Sequence, residues 1–338
     1  MLSVYEIEHT PKDWRPGAIP KKSGGVRHID IPNDKLKEIQ SEILYFLYDL
    51  WFDHQIQISS VAHGFLPGQD IMTGVIRHDR KSPVMACFDM TDFFDKCPTE
   101  PAKGQLYRAD RVPRALTDAI MGAAVYNGHF PQGGPLSPFM TNLSMYDADC
   151  MIAAYSKKNG WFYTRYADDM TFSLIPDHPK RQEIIDCPSL AAWLLSLGVE
   201  TILSKSMGLH LNPKKTHCIL RGKRTKPQVL GVIVRQDGFG YNAPKKFRLD
   251  TRAAVYNLYH KIEKQNGMVF DEDKLEWNII CGRAQFMKYV RSYSDAGYDC
   301  FDPFIQSELF NSLERRLGNI VNDILQRPDH IYTTHEDI

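Results

Sequence analysis

The sequence predicts an α+β fold, on three observations. Short apolar runs of strand character mix with amphipathic helical segments, without the strict strand–helix–strand alternation of a doubly wound sheet. Two such runs carry acidic residues at their ends: SPVMACFDM (82–90) and WFYTRYADDMTFSLI (161–175). The last quarter, from residue 244 to 326, is mostly helical in pattern.

The elements follow in order. Residues 35–55 carry Leu36, Ile39, Ile43, Leu44, Leu47, Leu50 and Trp51 at helical spacing, which gives one apolar face. Residues 82–90 read as a buried strand ending in Asp89, and residues 113–125 as a helix. Residues 161–175 read as two β-rich runs flanking Asp168–Asp169, a hairpin pattern. Residues 189–207 read as helix, and LHLNPKKTHCIL as a loop followed by a strand. QVLGVIVRQDGFGYN reads as a strand pair in which Asp237-Gly238 supplies the turn.

The chain has 338 residues, with 41 Lys and Arg against 41 Asp and Glu, so its formal net charge is zero. That excludes a histone-like protein but not nucleic-acid binding, because a phosphate chain responds to local clusters of charge. At roughly 100–200 residues per domain, two or three subdomains are expected. None of the seven cysteines forms a C-x-x-C pair, which argues against a zinc site and for a reduced, intracellular chain. The N-terminus has no basic segment leading into an apolar one, and no apolar run reaches 18 residues. The expectation is a soluble cytoplasmic protein with no membrane partner.

Charge is clustered, however. Between Pro213 and Arg252 stand eleven Lys and Arg residues, among them Arg224, Lys245, Lys246 and Arg248, against Asp237 and Asp250. Phe239, Tyr241 and Phe247 are interleaved. Such a stretch suits a nucleic-acid backbone and its bases, or is simply a solvated face.

Asp89, Asp168 and Asp169 are the candidate reactive groups. Carboxylates at the end of an apolar strand are costly unless solvated or paired with a cation. Three converging carboxylates would hold two Mg²⁺ ions through hard oxygen ligands, with Mn²⁺ as a substitute. An isolated Asp-Asp is usually only a turn; several motifs in fixed order carry more.

Those motifs resemble the reverse transcriptases. Tyr166-Ala167-Asp168-Asp169 resembles their YxDD box, and Asp89-Met90-Thr91-Asp92-Phe93-Phe94 their preceding D-x-x-x-F-F motif. Pro131-Gln132-Gly133-Gly134-Pro135-Leu136-Ser137-Pro138 is similar to PQGxxxSP. Ile19-Pro20-Lys21 through Gly24-Gly25-Val26-Arg27 to Ile31-Pro32 resembles the fingers motif. Gly208-Leu209-His210-Leu211-Asn212-Pro213-Lys214-Lys215-Thr216 resembles G-x-x-L-N-x-x-K-T. The resemblance covers roughly residues 15–290. It implies a right-hand polymerase: residues 1–80 as N-terminal extension and fingers, 81–225 as palm with interleaved fingers segments, and 226–338 as a mostly helical thumb with the C-terminal tail. The palm sheet is expected to be antiparallel.

The resemblance also implies roles. Asp89 and Asp168 would be metal ligands, with Asp169 completing the acidic cluster and the Met90 carbonyl in reach. Phe94 falls at the steric gate against a 2′-OH, while Phe93, expected on the opposite side of a strand, is core. Lys21 and Arg27 match the cations that grip the triphosphate. Gln132 and Gly133 match the loop against the nucleotide and template. Lys215, preferred over adjacent Lys214 because Lys-Thr is the matching dipeptide, would neutralise or protonate pyrophosphate. Arg165 would contact primer or template backbone, or equally satisfy a core. Arg224, Lys245, Lys246 and Arg248 are further candidates for RNA or DNA contact.

Within the family, Ala62-His63-Gly64-Phe65 and Gly68 resemble a stretch of retron and group II intron-related enzymes. Gly74-Val75-Ile76-Arg77-His78 keeps only the histidine of the retron N-A-x-x-H motif, and a surface histidine is the alternative. Val229-Leu230-Gly231 has Leu where retrons have Thr. Asn242-Ala243-Pro244-Lys245-Lys246-Phe247-Arg248 and Gly282-Arg283-Ala284-Gln285-Phe286 are similar to retron thumb segments. No endonuclease or RNase H domain is expected after residue 300, and the tail RPDHIYTTHEDI is expected to fray. A retron enzyme implies dNTPs, a structured noncoding RNA as template and primer, priming from a guanosine 2′-OH, an RNA–DNA product, a role in phage defence and an effector protein encoded nearby. Oligomerisation is left open. The alternatives are another defence or intron-like reverse transcriptase, a non-catalytic RNA-binding scaffold, or a cyclic-nucleotide synthase, which would want a GG[DE]EF-like hairpin rather than YADD.

Overall fold

The computed structural model describes residues 3–20, 24–78, 81–221, 227–234, 240–293 and 308–317. Lys21, Arg224, the Asp237-Gly238 turn, Phe239 and residues 318–326 of the expected helical region lie outside them. The chain divides into two units, Met1–Ile219 and Leu220–Ile338.

The first unit opens with α1 (Val4–His9) and a hairpin of β1 (Trp14–Pro20) and β2 (Val26–Pro32), followed by α2 (Asp34–Phe52) and α3 (Ile71–Ile76). Then come β3 (Val84–Asp89), α4 (Phe93–Lys96), α5 (Glu100–Arg108), α6 (Arg114–Ala124), α7 (Ser137–Ser144) and α8 (Tyr146–Lys158). The unit closes with β4 (Trp161–Tyr166), β5 (Asp169–Leu174), α9 (Arg181–Asp186), α10 (Pro188–Met207) and β6 (His217–Leu220). Phe93 and Phe94 thus start a short helix rather than continue the strand, although Phe93 is core as expected.

The amphipathic pattern of α2 is realised as written. Leu36, Ile43, Leu47 and Leu50 are buried, and Asn33 caps the helix by accepting from the Leu36 amide. That face packs with α5, α6 and α7 into one apolar core. A second core lies on the four-stranded sheet, ordered β4-β5-β3-β6. Its three longest strands are antiparallel neighbours, and their near-continuous apolar runs are covered by α8 and α10.

Two glycine and histidine positions show how tight this packing is. A Cβ at Gly198 of α10 would stand 2.1 Å from Tyr155 Cζ of α8, so the two helices approach through the missing side chain. His78, read as a family remnant or a surface residue, is buried. Its Nδ1 bonds Ser173 Oγ at 2.8 Å and its Nε2 bonds Thr164 Oγ1 at 2.7 Å, tying the end of α3 to β4 and β5. Burial pushes its pKa down to about 3, so it is a neutral polar clamp.

The second unit holds a small sheet, β7 (Gln228–Val229), β8 (Val232–Val234) and β9 (Tyr241–Asn242), then α11 (Lys245–Lys264), α12 (Asp271–Ser292) and α13 (Glu308–Leu317). Val255, Leu258, Ile262, Trp277, Ile280 and Phe310 build its core. The two thumb-like sequence motifs meet here: the Phe247 and Phe286 rings lie 5.5 Å apart, and the Arg283 guanidinium lies over Phe247.

Gly198→Ala should lower unfolding stability by about 1–3 kcal/mol, the cost of forcing a methyl into packed aromatic density. Urea unfolding of the purified protein measures it, and an unchanged midpoint with unchanged slope would show that the helices yield at no cost.

Candidate active site

Strand register sets the site. Antiparallel pairing puts Asp89 of β3 opposite Asp169 of β5, and Tyr166 of β4 opposite the same Asp169. Only Ala167 and Asp168 remain to turn the chain, and Ala167 takes a left-handed φ of +54° to do so. The Met90 amide donates to the Asp168 carbonyl at 3.1 Å, which fixes the turn beside the end of β3.

The segment after α10 returns to the same place. Gly208 ends the helix in a left-handed cap at φ +65°, where glycine has no steric penalty. Glu200 then accepts from the Leu211 amide at 2.7 Å, and the Asn212 amide donates to the Asp89 carbonyl at 2.7 Å. This course delivers Lys215, whose Nζ donates to Asp89 Oδ1 at 2.7 Å, while Lys214 is exposed.

The carboxylates feel one another. Asp168 is raised by desolvation and by the charge of Asp89, with Lys215 and Arg27 opposing. Asp169 is pushed up to about 6 by desolvation in the cleft, then by Asp168 and Asp89. The Asp169 side chain reaches solvent, which weakens both effects. The Lys215 ammonium is raised by its hydrogen bond to Asp89. Among the described residues no three His, Cys, Asp or Glu side chains already enclose a common point as a metal cage does. The donor chemistry nevertheless fits hard divalent cations: a half-buried and a buried carboxylate, crowded by a third, gain from positive charge.

A cavity of about 220 Å³ is lined by Ile19, Arg27, Ile29, Phe94, Gln132, Gly133 and Ser137, among others. It exists because the PQGG loop is sewn to β2. The Asp30 amide donates to the Gln132 carbonyl at 2.8 Å. Gly133, at φ +123°, comes so close that a Cβ there would stand 2.5 Å from the Asp30 carbonyl oxygen. The sequence candidates Arg27, Phe94, Gln132 and Gly133 are therefore brought together.

Other candidates fall elsewhere. Arg165 is 1 % exposed and cannot touch primer or template. Its Nη2 donates to Asp149 Oδ2 at 2.7 Å, and its Nη1 to the Ala167 carbonyl at 3.0 Å. The reading of Arg165 as a nucleic-acid contact is corrected: a charge at an inward position of an edge strand is kept there by a buried partner. Lys245 and Lys246 are exposed and Arg248 is half-buried, all in the first turn of α11. Sequence reasoning missed Asp149, whose one signal was an acid inside the helical run AdCMIAA, and missed the glycine Gly64 as a packing element.

The geometry now meets three comparisons. The family described as "Reverse transcriptase (RNA-dependent DNA polymerase)" matches residues 19–234, more than half of the chain. The chain belongs to the reverse transcriptase family, with the α+β, right-hand polymerase fold and antiparallel central sheet that define it. Its relatives are retron-type: it is 29% identical over 259 residues to the Retron Mx162 reverse transcriptase of Myxococcus xanthus, covering 71% of this chain and 51% of that protein. To the Retron Mx65 reverse transcriptase of the same organism it is 32% identical over 194 residues, covering 51% of this chain and 44% of that one. The chain thus spans about half the length of these curated relatives. A solved structure of telomerase from Candida albicans, with a fragment of telomeric RNA, is similar at a TM-score of 0.45 and 12% identity, covering 96% of this chain and 68% of that one. Among the described residues no helix is long and apolar enough to cross a membrane.

An acid whose folded pKa lies above its unfolded value binds its proton more tightly when folded. The folded state gains from it at low pH, and that gain is lost as pH rises from the ordinary carboxylate range to about 6. In metal-free protein, Asp169→Asn should therefore raise the melting temperature at pH 7.5 and lose that advantage near pH 4. Because Asp169 is exposed, the gain should be small, about 1 kcal/mol or less. Equal effects at both pH values would show that Asp169 is not held in like-charge conflict.

Proposed function

We propose that this chain is an RNA-directed DNA polymerase of the retron type, which copies a structured noncoding RNA into DNA. The convergence of Asp89, Asp168 and Lys215 beside the cavity of Arg27, Phe94 and Gln132 carries this reading. Asp89 and Asp168 would hold two Mg²⁺ ions, Asp169 completing the cluster; once bound, the ions supply Lewis-acid activation of the primer hydroxyl and charge neutralisation at the phosphates.

The chain's own residues do the rest. Arg27 offers a fork of donors to the triphosphate at the cavity wall, and Lys21 is proposed as a second cation for the same phosphates. Phe94 lies under the sugar of a nucleotide seated there and excludes a 2′-OH by its bulk. Gln132 and Gly133, pinned to Asp30, form a fixed floor against the nucleotide and template. Lys215 already holds an ammonium beside the reacting centre, where it can neutralise or protonate the leaving pyrophosphate. Lys245 and Lys246 place positive charge on the positive end of α11, whose first turn holds no acid, and Arg248 is proposed as a further contact. That arrangement is unfavourable alone and favourable against phosphate, which supports a role in nucleic-acid contact. Arg224 is proposed to join them. Residues 1–80, 81–225 and 226–338 are proposed as fingers, palm and thumb.

The wider setting proposed with it is the one that the retron resemblance implies: an RNA primed from its own guanosine 2′-OH, a DNA product joined to it, an effector protein, and phage defence in the cytoplasm. Sequencing of nucleic acid that co-purifies with the chain, expressed with its flanking DNA, tests this. Short DNA joined to RNA by a 2′-linked branch is the expected product; DNA without a branch points to an intron-like or other defence enzyme instead.

Asp168→Asn with Asp169→Asn should abolish nucleotide incorporation, at least about 10³-fold, with the melting temperature not lowered. Residual extension at the wild-type rate would displace the metal site from this cluster. Phe94→Ala should relax discrimination against ribonucleotides by about tenfold or more, read as the ratio of kcat/KM for dNTP and NTP. An unchanged ratio would move the gate to another residue.

A further inference from the structure

Arg165 does more than neutralise Asp149. Its guanidinium is spent in three directions. Nε donates to Asp149 Oδ1 at 2.9 Å, and Nη2 to Asp149 Oδ2 at 2.7 Å. The remaining arm, Nη1, donates to the carbonyl of Ala167 at 3.0 Å. Tyr163 completes the arrangement by donating from its hydroxyl to Asp149 Oδ1 at 3.0 Å. Arg165 and Asp149 are both essentially without solvent exposure.

Ala167 is the residue that pays the strain of the turn, because an L residue at φ +54° is held there only by its surroundings. The opposite side of the turn is held by backbone. A Cβ at Gly64 would stand 3.0 Å from the Ala167 nitrogen and 3.4 Å from Tyr166 Cγ, so this segment lies flat against the turn. Asn142 Nδ2 donates to the Gly64 carbonyl at 2.7 Å. The His63 amide donates to the Arg165 carbonyl at 2.8 Å, and the Arg165 amide to the Val61 carbonyl at 2.7 Å. The AHGF segment therefore works as a strap on the free edge of β4.

A buried ion pair adds little net stability compared with apolar residues of the same volume. Stability alone would not select this one. What an apolar pair, or a lysine, cannot provide is a rigid planar fork that grips a carboxylate and a carbonyl together. We propose that Arg165 is a positioning residue for the polymerase reaction: it locks the left-handed turn at Ala167 and so fixes where Asp168 presents its carboxylate, with Asp149 orienting the fork from α8 and Gly64 closing the other side. The inference rests on the polymerase reading for its consequence, but its structural half stands apart from it.

The test uses two variants of the full chain. Arg165→Met with Asp149→Leu removes both buried charges together and avoids orphaning either. Arg165→Lys keeps the charge against Asp149 and loses the third arm, and it serves alone if the double variant fails to fold. Two measurements are made on each. Hydrogen exchange on metal-free protein reads the turn directly, through peptides spanning residues 166–170 and the Met90 amide that donates to Asp168. These should exchange about tenfold faster than in wild type, while the interior of β3 keeps its protection. Primer extension then reads the consequence: kcat should fall on the order of a hundredfold with KM for dNTP nearly unchanged, and half-saturation by Mg²⁺ should shift to higher concentration. A uniform loss of folded protein would instead lower apparent kcat without moving the Mg²⁺ dependence. Wild-type exchange at the turn together with wild-type kcat, in a variant that folds, would overturn the proposal. If the wild-type chain itself extends no primer, the polymerase reading fails, and the exchange result still decides the clamp.

Discussion

The antiparallel register that sets Asp89 opposite Asp169 is the constraint on which the rest of the first unit depends. The apolar runs of β3 and β5 must be buried, and a slip of one residue would turn the slipped strand inside out. Burial therefore fixes the register, and the register forces carboxylates from distant parts of the chain to one end of the sheet. The fold meets the resulting repulsion in part with Lys215, brought back by the Asn212–Asp89 backbone bond. What remains uncompensated is seen in the raised Asp168 and Asp169, a repulsion that a bound cation would relieve.

The same economy governs the cavity beside it. β2 belongs to an outlying hairpin, and the PQGG loop precedes α7, yet one backbone bond and one glycine contact join them. Because Gly133 has no side chain, the loop can lie on Asp30 and present Gln132 beside Arg27 and Phe94. Sheet, loop and strap are three devices that hold small polar groups at fixed places.

Much of this was legible in the sequence because it is local. The helix at 35–55, the strand ending in Asp89 and the two-residue hairpin around Asp168 follow from periodicity and turn chemistry, and the structure has them as α2, β3 and β4–β5. The order of motifs was legible as a family signature. What stayed hidden depends on contacts distant in sequence. Arg165 looks like any basic residue on a strand until Asp149, sixteen positions earlier, is found beneath it. His78 looks like a surface residue until Thr164 and Ser173 enclose it. Phe93 and Phe94 follow a strand, and only the left-handed Asp92 at φ +50° shows that the strand has ended. In each case the side chain's partner, not its own type, decides its role.

The acidic end of this sheet is proposed to copy RNA into DNA. The most direct measurement supplies the purified chain with a primed RNA of known sequence, the four dNTPs and Mg²⁺, and sequences any product. DNA complementary to the supplied RNA is expected, lost when the ion is chelated. No incorporation, or DNA unrelated to the template, would contradict it.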